Sequence, residues 1–402
     1  MESIEQEVGY LSNTGEPYPA TVDHHRGMTC HMRILIAITK GEVGGAQEHV
    51  AILAQALLGR GHDVALLANE PSPLAGRMKD LGASIFPWNS IVGPPNLAAD
   101  IKARRELRRA VAEWKPEIVH LNSSKAGALG VGILSPPNGV TVFTCHHLPF
   151  GPGRRWRNRI IARPVDQFLL PRMDGIISVG IRDMPLLQRI APEVPLSHIP
   201  NAVPTPDPPV STGAVRPRAI WVARMAHPKD PLLACRAWER VIEHLPDAHL
   251  TLCGEGPLEG RVRKWLTASQ IGSSIDYPGF VPDLRPLQAQ ASIFLLASKV
   301  EGGLTMATLE AMAQGLVPVV TDAGDSVFLR DNECGVFVSE YSPKGIANAI
   351  RDLIADPDRY YRLRNNALEY TRRERVPNDL VEETLDFYRR VLEMSGVKRC
   401  RA

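Results

Sequence analysis

The sequence lacks the features that mark membrane-embedded and exported proteins. No apolar run approaches the roughly 18 residues that a membrane-spanning helix needs, and the polar N-terminus has no apolar core of the kind found in signal peptides. The six cysteines show no paired spacing, and Cys235 and Cys253 lie among apolar residues. Free buried thiols suit a reducing compartment, so the sequence predicts a cytoplasmic protein.

The chain also lacks a charge of predominant sign. Its 46 Lys and Arg residues nearly balance 44 Asp and Glu residues, giving a net charge of +2. This balance argues against a nucleic-acid partner bound through bulk charge, so any basic surface must be local. At 402 residues the chain is too long for one hydrophobic core, and two domains are expected.

The first half has the pattern of a doubly wound α/β domain. Residues 1–31 are polar and aperiodic, which predicts a disordered extension or sequence upstream of a true start at Met28 or Met32. A strand at 33–38, a glycine-rich loop, a helix ending near Gly59 and a strand at 63–68 then form a parallel βαβ unit. Further strands at 84–87, 117–121, 140–144 and 175–179, with a helix near 98–114, continue the pattern.

A second α/β pattern follows a proline-rich linker at 204–217. Strands are predicted at 218–223, 248–253, 291–298 and 316–321, a loop at 277–284, and a strand followed by a helix within 335–357. Helical spacing returns from about residue 378 onward. The glycine loop at 41–45 lacks the spacing of the dinucleotide fingerprint, which disfavours an ordinary dehydrogenase, and the missing signal peptide disfavours a periplasmic binding protein.

The most informative stretch is 297–324. Glu301 and Glu310 bracket a Gly-Gly turn and the opening of a short helix that Gly315 ends. Unpaired amides at such a helix start suit a phosphate, whereas the two carboxylates would accept hydrogen bonds from hydroxyls. A nucleotide sugar offers both kinds of group. The alternative is an exposed acidic pair that flanks an ordinary helix.

This stretch resembles the donor-binding signature of retaining glycosyltransferases of family 4. The resemblance implies the GT-B fold, in which two Rossmann-like doubly wound α/β domains face each other across a cleft. It also implies that Glu301 touches the transferred sugar and that Glu310 holds the ribose hydroxyls. Because 310 − 301 = 9, the spacing is one residue longer than is usual in the family, so Glu310 is the safer assignment.

Other motifs resemble the same family in the same order along the chain. Gly44 and Gly45 match its N-terminal glycine loop, which approaches the donor phosphates. TCHH at 144–147 matches a Thr-x-His-Gly segment, which implies that His146 is the active-site histidine near the donor sugar, although His147 replaces the glycine. Arg224 and Lys229 match the cations that bind the donor diphosphate, where fixed positive charge would stabilise the leaving group.

The resemblance assigns the remaining site residues to two sets. The implied donor-binding residues are Asn201 in HIPNAV, Gly254, Gly256, Phe280 and Val281 near the base, and Gly302, Gly303, Leu304 and Thr305. The implied acceptor-side residues follow a strand in HLNSSKAG and are His120, Ser123, Ser124 and Lys125. No metal-binding Asp-x-Asp motif and no cofactor are expected.

Residues 154–172 interleave arginines with apolar side chains. A basic amphipathic segment of this kind can lie on an anionic membrane face or attract an anionic lipid-linked acceptor. The alternative is a solvated helix whose arginines cover apolar neighbours. The protein is therefore expected in the cytoplasm, with peripheral contact to the cytoplasmic membrane face through these residues as one possibility.

The resemblance predicts a metal-independent retaining hexosyltransferase. Its co-substrate would be a UDP or GDP sugar and its acceptor the hydroxyl of a glycan or lipid-linked glycan, in cell-envelope or exopolysaccharide synthesis. The predicted domains are an acceptor-side domain at 32–203, the linker, a donor domain at 218–375, and a helix at 376–402 that returns to the first domain. The alternatives are a nucleotide-sugar epimerase on the same fold and a catalytically degenerate GT-B scaffold subunit.

Overall fold

The structure is a computed structural model that describes residues 10–11, 17–18, 31–92, 95–134, 138–148, 156–211 and 214–397. Of residues 10–11, 17–18 and 156–162 it describes the backbone only. Strands β1 (Tyr10–Leu11) and β2 (Pro17–Tyr18) pair antiparallel. The rest of the extension for which disorder is predicted, up to residue 30, lies outside the described residues.

Contacts divide the chain into two units. The unit called N-terminal here comprises Thr21–Asn201 and Pro377–Ala402, and the C-terminal unit comprises Met1–Ala20 and Ala202–Val376. The last helix of the chain therefore belongs to the N-terminal unit, where it packs against the first helix.

The N-terminal unit contains a seven-stranded parallel sheet in the order β5-β4-β3-β6-β7-β8-β9. Its strands are β3 (Arg33–Ala37), β4 (Asp63–Ala68), β5 (Ser84–Pro87), β6 (Ile118–Leu121), β7 (Val140–Cys145), β8 (Gly175–Ser178) and β9 (Leu196–His198). Its helices are α1 (Gly45–Gly59), α2 (Pro73–Asp80), α3 (Leu97–Trp114), α4 (Ser124–Gly130), α5 (Trp156–Leu169), α6 (Met184–Ile190) and α14 (Pro377–Met394).

The C-terminal unit contains a six-stranded parallel sheet in the order β12-β11-β10-β13-β14-β15. Its strands are β10 (Arg218–Val222), β11 (His249–Cys253), β12 (Ile275–Gly279), β13 (Ile293–Leu296), β14 (Val317–Thr321) and β15 (Val336–Val338). Its helices are α7 (Pro231–Ile242), α8 (Glu259–Ala268), α9 (Arg285–Gln288), α10 (Met306–Ala313), α11 (Val327–Asp331), α12 (Pro343–Ala355) and α13 (Pro357–Arg373).

Burial on both faces explains why the central strands are continuous apolar runs. All four residues of β13 are buried, as are all five of β14, because helices cover both faces of a doubly wound sheet. The prediction of a two-domain α/β fold is confirmed. One loop prediction is wrong, since Tyr277, Pro278 and Gly279 of the 277–284 segment belong to strand β12. Pro278 and Gly279, which lie within the strand, obscure it in the sequence.

The strand order places a switch point in each sheet. In the N-terminal sheet, β4 and β5 are added on one side of β3, and β6 is then added on the other side of β3. In the C-terminal sheet, β11 and β12 are added on one side of β10, and β13 is then added on its other side. Loops at the carboxyl ends of the two strands at a switch point diverge, and ligands bind in the crevice between them. Most of the sequence-predicted site residues follow one of these four strands or their neighbours.

Candidate functional site

In the C-terminal unit, backbone hydrogen bonds hold the loop after β10 beside the loop after β13. The amide of Asp230 donates to the carbonyl of Ala297 at 2.9 Å, and the amide of Lys299 donates to the carbonyl of Pro228 at 3.1 Å. Lys229 and Ser298 form an isolated antiparallel bridge between the two loops. These bonds bring together two segments that are about 70 residues apart in the sequence.

The side chains of Lys229 and Glu301 form an ion pair across these loops. Only 18% of the lysine side chain and 13% of the glutamate side chain is exposed. A pair this sheltered is less screened by water than a surface pair. The cation assigned by resemblance to the phosphates and the carboxylate assigned to the sugar thus contact each other.

The loop that carries Glu301 is shaped by close contacts with the segment after β14. The hydroxyl of Thr321 accepts from the Ser298 amide at 2.9 Å and donates to the Ser298 carbonyl at 2.7 Å. A Cβ on Gly324, whose φ is +57°, would lie 2.6 Å from the Gly302 carbonyl oxygen. Only glycine therefore lets this backbone approach the Glu301–Gly302 turn.

Helix α10 begins directly after that turn. Thr305 is its N-cap residue, and its hydroxyl accepts a hydrogen bond from the Thr308 amide at 3.2 Å. Gly303 is buried, whereas Leu304 and Thr305 are half-buried. The first amides of a helix have no intrahelical acceptors and its dipole is positive there, so this end attracts an anion. Glu310 is half-buried one turn further into the same helix.

Arg224 is exposed in the loop after β10, and the residue after it bonds the Gly254-Glu255-Gly256 turn. The Met225 amide donates to the Glu255 carbonyl at 2.9 Å. A Cβ on Gly254, whose φ is +131°, would lie 2.0 Å from the carbonyl oxygen of Ala223. The glycines predicted to be donor-binding are thus required for this turn to pack against the backbone that carries Arg224.

Phe280 and Val281 follow β12 at the edge of the same sheet. Phe280 is 46% exposed, and Val281 is half-buried. Tyr277, just before them, donates its hydroxyl to the Gly254 carbonyl at 3.0 Å, which links this strand end to the glycine turn. An exposed aromatic ring beside a predicted phosphate site could stack on a nucleotide base.

In the N-terminal unit, the glycine loop after β3 contacts the loop after β6 across the other switch point. The hydroxyls of Thr39 and Ser123 are hydrogen-bonded, and the Thr39 amide donates to Ser123 Oγ at 3.3 Å. Gly44 is the N-cap residue of α1, and Gly45 is its first residue. The structure therefore brings the predicted glycine loop and Ser123 together.

The other predicted acceptor-side residues differ in their surroundings. Ser124, the first residue of α4, is exposed, and Lys125 pairs with Asp100 at 2.7 Å. His120 does not lie beyond the strand as predicted but within β6, where its side chain is fully buried. Its two ring nitrogens bond Thr144 and Tyr388, so direct contact with an acceptor is ruled out for His120 in this structure. The sequence could not reveal this, because β6 is buried on both faces and shows no alternation.

His146 follows β7 directly and stacks edge-on against His49 of α1, with 5.1 Å between the ring centroids. His49 Nδ1 lies 3.1 Å from Oδ1 of Asn201. Among the described residues, Nε2 of His146 is buried without a hydrogen-bond partner. His49 was not among the predicted site residues, although a histidine on the apolar face of α1, four residues before Leu53, was the available signal.

Burial keeps these histidines neutral near pH 7. Desolvation lowers the pKa of His49 to about 4, with the Asn201 hydrogen bond opposing the shift. Desolvation also lowers the pKa of His146 well below its usual range, and the neighbouring His49 and His147 add to this effect. A neutral imidazole can offer one donor and one acceptor to a bound ligand.

Two family models match consecutive parts of the chain. The model described as "Glycosyltransferase Family 4" matches residues 43–206, and the model described as "Glycosyl transferases group 1" matches residues 216–356. Together they include nearly all of the candidate site residues.

Curated and structural relatives agree with these matches. A UDP-Gal:alpha-D-GlcNAc-diphosphoundecaprenol alpha-1,3-galactosyltransferase from Escherichia coli is 24% identical over 69% of this chain and 76% of its own length. Sucrose-phosphate synthase from Thermosynechococcus elongatus has a TM-score of 0.73 at 18% identity, with 90% of this chain and all of that chain covered. HepE from Anabaena, solved with UDP and glucose, has a TM-score of 0.72 at 16% identity, with 89% and 99% covered.

Proposed function

Because the chain belongs to the family 4, group 1 glycosyltransferases with the GT-B fold, we propose that it is a retaining hexosyltransferase. Its donor is a nucleoside-diphosphate sugar, and its acceptor is the hydroxyl of a glycan or lipid-linked glycan. The process served is cell-envelope or exopolysaccharide synthesis. The E. coli relative, whose name gives a UDP-sugar donor and a lipid-diphosphate-linked acceptor, supports this choice of substrates.

One observation carries the proposal: the switch point of the C-terminal sheet combines groups for an anion with groups for hydroxyls. Lys229 and the start of α10 supply positive charge and amides, and Arg224 is exposed nearby in sequence on the loop after β10. Glu301 and Glu310 supply acceptors that hydroxyl groups can bond. A nucleotide sugar is a ligand class with a diphosphate flanked on both sides by hydroxyl-bearing rings.

The proposed binding mode assigns each group a part of the donor. The diphosphate binds Arg224, Lys229 and the first amides of α10, and Glu310 accepts from the ribose hydroxyls. When the donor phosphate replaces Glu301 as the ion-pair partner of Lys229, Glu301 accepts a hydrogen bond from a hydroxyl of the transferred sugar. Phe280 and Val281 contact the base, beside the backbone turn formed by Gly254 and Gly256.

The transfer step follows from this arrangement. The bond between the anomeric carbon and the phosphate oxygen breaks while the acceptor hydroxyl oxygen bonds to the same face of that carbon. The hydroxyl proton passes to the departing phosphate oxygen, so the products are the glycosylated acceptor and the nucleoside diphosphate. Arg224 and Lys229 stabilise the charge that develops on the leaving phosphate. In this proposal these cations and the helix dipole supply what a metal ion supplies elsewhere, so turnover requires no metal.

The proposed acceptor-side groups lie in the N-terminal unit. Ser123, Ser124 and Lys125 at the start of α4 can bond acceptor hydroxyls, and neutral His146 can exchange a hydrogen bond with a sugar hydroxyl. Gly44 and Gly45 form the start of α1, and Asn201 holds the His49 side chain. His120 is left out of direct contact because it is fully buried.

Peripheral membrane contact is proposed through the α5 region. Phe168 is 56% exposed and Val165 is 45% exposed on this helix, and Arg172 stacks over the Phe168 ring at 3.8 Å. Exposed apolar side chains beside arginines favour the interface of an anionic membrane. Residues 154 and 155 of the proposed segment lie outside the described residues. None of the described helices has the length and apolar character to cross a bilayer.

Thermal unfolding with nucleoside diphosphates and their sugars tests the proposal. A ligand present at 100 times its dissociation constant should stabilise the protein by about 2.7 kcal/mol. We expect a shift with the UDP or the GDP series that is lost in Glu310→Ala. Radiolabelled donor with lipid-linked glycan acceptors then tests transfer, where retention appears in the anomeric configuration of the product. Interconversion of the donor without an acceptor would indicate an epimerase, and binding without any turnover a scaffold subunit.

A further inference from the structure

A chain of three polar side chains crosses the interior of the N-terminal unit. The Tyr388 hydroxyl oxygen lies 2.6 Å from Nδ1 of His120, and Nε2 of His120 lies 2.6 Å from the hydroxyl oxygen of Thr144. Tyr388 and His120 have no exposed surface, and Thr144 is 1% exposed. Both distances are short for hydrogen bonds, and the low surrounding dielectric strengthens each bond.

The chain of bonds has a direction because His120 is neutral. Burial lowers the pKa of His120 to about 3, helped by the neighbouring His49, so near pH 7 one ring nitrogen carries a proton and the other accepts. Burial also raises the pKa of Tyr388, which keeps its hydroxyl protonated. The tautomer of His120 therefore fixes which way both hydroxyl groups point. Removing either hydroxyl leaves a buried ring nitrogen unpaired and removes that constraint.

These three residues connect helix α14 to the strand that directly precedes His146. Tyr388 lies on α14, His120 on β6 and Thr144 next to the last residue of β7, two positions before His146. His146 is the first residue after this strand, and the charge of His120 lies close enough to contribute to lowering the pKa of His146. The constraint on Thr144 thus acts on the backbone from which the His146 side chain emerges.

Helix α14, which carries Tyr388, packs closely against the sheet and is hydrogen-bonded to the residue that follows α1. A Cβ on Gly175 of β8 would lie 2.7 Å from Val391 and 3.0 Å from Phe387, so the helix is in close contact with the sheet. At the start of the helix, Glu382 accepts from Arg60, just after α1, at 2.8 Å.

We propose that Tyr388 and His120 are positioning residues that fix the orientation of His146 through Thr144. His49, which packs edge-on against the His146 ring and is hydrogen-bonded to Asn201, also restrains that ring. Three apolar side chains could fill the same space without the cost of burying polar groups. The hydrogen bonds of Tyr388, His120 and Thr144 instead fix the orientation of each group, and His146 needs a fixed orientation to present one ring nitrogen to a ligand. This inference rests on the proposed function in taking His146 as a site residue.

Nitrogen-15 NMR of histidine-labelled protein tests the positioning directly, because the ring signals report tautomer and surroundings. The His146 signals are assigned from their loss in His146→Gln. Tyr388→Phe and Thr144→Val each remove one hydroxyl, while Thr144→Ser keeps it. Tyr360→Phe is the matched control, since Tyr360 is also fully buried and donates one hydrogen bond, to the Ser292 carbonyl at 3.2 Å in the C-terminal unit.

We expect Tyr388→Phe and Thr144→Val to shift the ring signals of both His120 and His146. Thr144→Ser should restore the His146 signals, and Tyr360→Phe should leave them unchanged. With substrates in hand, turnover should fall about 10-fold in the first two variants at an unchanged KM for the donor, because a misplaced group loses transition-state contacts first. If Tyr388→Phe does not fold, the Thr144→Val and Thr144→Ser pair makes the same comparison.

His146 signals that superimpose on those of the unaltered protein in both Tyr388→Phe and Thr144→Val would overturn the proposal. This readout is independent of the proposed function. A protein that binds no nucleotide sugar but shows the expected shifts would refute the function and retain the positioning. If the protein transfers sugar equally well with and without the Tyr388 hydroxyl and the His146 signals do not shift, the positioning is refuted and the proposed function is retained.

Discussion

Lys229 and Glu301 form an ion pair that joins the loop after β10 to the loop after β13. Both side chains are largely sheltered from water, and both belong to the motifs expected to bind the donor. The carboxylate compensates the lysine charge. If a donor diphosphate binds Lys229 as proposed, we expect it to compete with Glu301 for that charge.

The first prediction concerns the stability of this pair. Lys229→Met and Glu301→Gln should each lower the free energy of unfolding by about 1–2 kcal/mol, because each leaves one sheltered charge without its partner. The double variant should lose clearly less than the sum of the two. Urea denaturation of the four proteins measures this difference. Fully additive losses would show that the two charges are not coupled.

The second prediction concerns the Gly254 turn. Gly254→Ala should cost about 2 kcal/mol or more, because the new Cβ would meet the Ala223 carbonyl at 2.0 Å in a left-handed region. The matched control is Gly260→Ala in α8, where nothing lies within 4 Å of the added Cβ and alanine favours the helix.

Urea denaturation and nucleotide titration of both variants check the prediction. Gly254→Ala should also weaken nucleotide binding, since its backbone adjoins that of Arg224, while Gly260→Ala should be neutral or stabilising. An alanine at 254 that is tolerated as well as the one at 260 would contradict the role given to this turn.

The third prediction concerns pH. The folded protein holds His49 neutral, with a pKa of about 4 against an ordinary value of 6.5. The unfolded chain therefore binds more protons between these values, so stability is fully present above pH 6.5 and is lost as the pH falls toward 4. The contribution of His49 is about 3 kcal/mol. Burial raises the pKa of Asp166 to about 6, and this group acts in the opposite direction over the same window.

Comparison with His49→Gln separates the two effects, because the Asp166 contribution is common to both proteins. The unaltered protein should lose more of its unfolding free energy between pH 7 and pH 5 than the variant does. Urea denaturation at the two pH values makes the comparison. Equal losses in the two proteins would mean that His49 is not the group responsible.

Strand periodicity and turn residues predict most of the fold, whereas the candidate site residues come from the resemblance to the family. Because ligand loops follow parallel strands, locating β10 and β13 in the sequence also placed Arg224, Lys229 and Glu301 at strand ends. The contact between Lys229 and Glu301 could not be predicted, since it depends on the backbone bonds of Asp230 and Lys299.

The histidines show more clearly what could not be predicted from the sequence. His120 and His146 each occur near the end of an apolar strand, and the sequence gives both the same appearance. Only tertiary packing distinguishes them, because Tyr388, 268 residues further along the chain, is hydrogen-bonded to one ring nitrogen of His120. His49 was missed for the same reason, because its partners Asn201 and His146 are distant in the sequence.

Calorimetric titration of UDP and GDP against the unaltered protein, Arg224→Ala and Arg240→Ala tests the central claim most directly. Arg240 is also an exposed arginine, near the C-terminal end of α7, and serves as the control. The account predicts that one nucleotide binds, that Arg224→Ala weakens it by about 10-fold or more through loss of a charge-assisted bond, and that Arg240→Ala leaves it unchanged. Binding that is equal in all three proteins, or no binding of either nucleotide, would contradict a nucleotide-sugar site at the β10–β13 switch point.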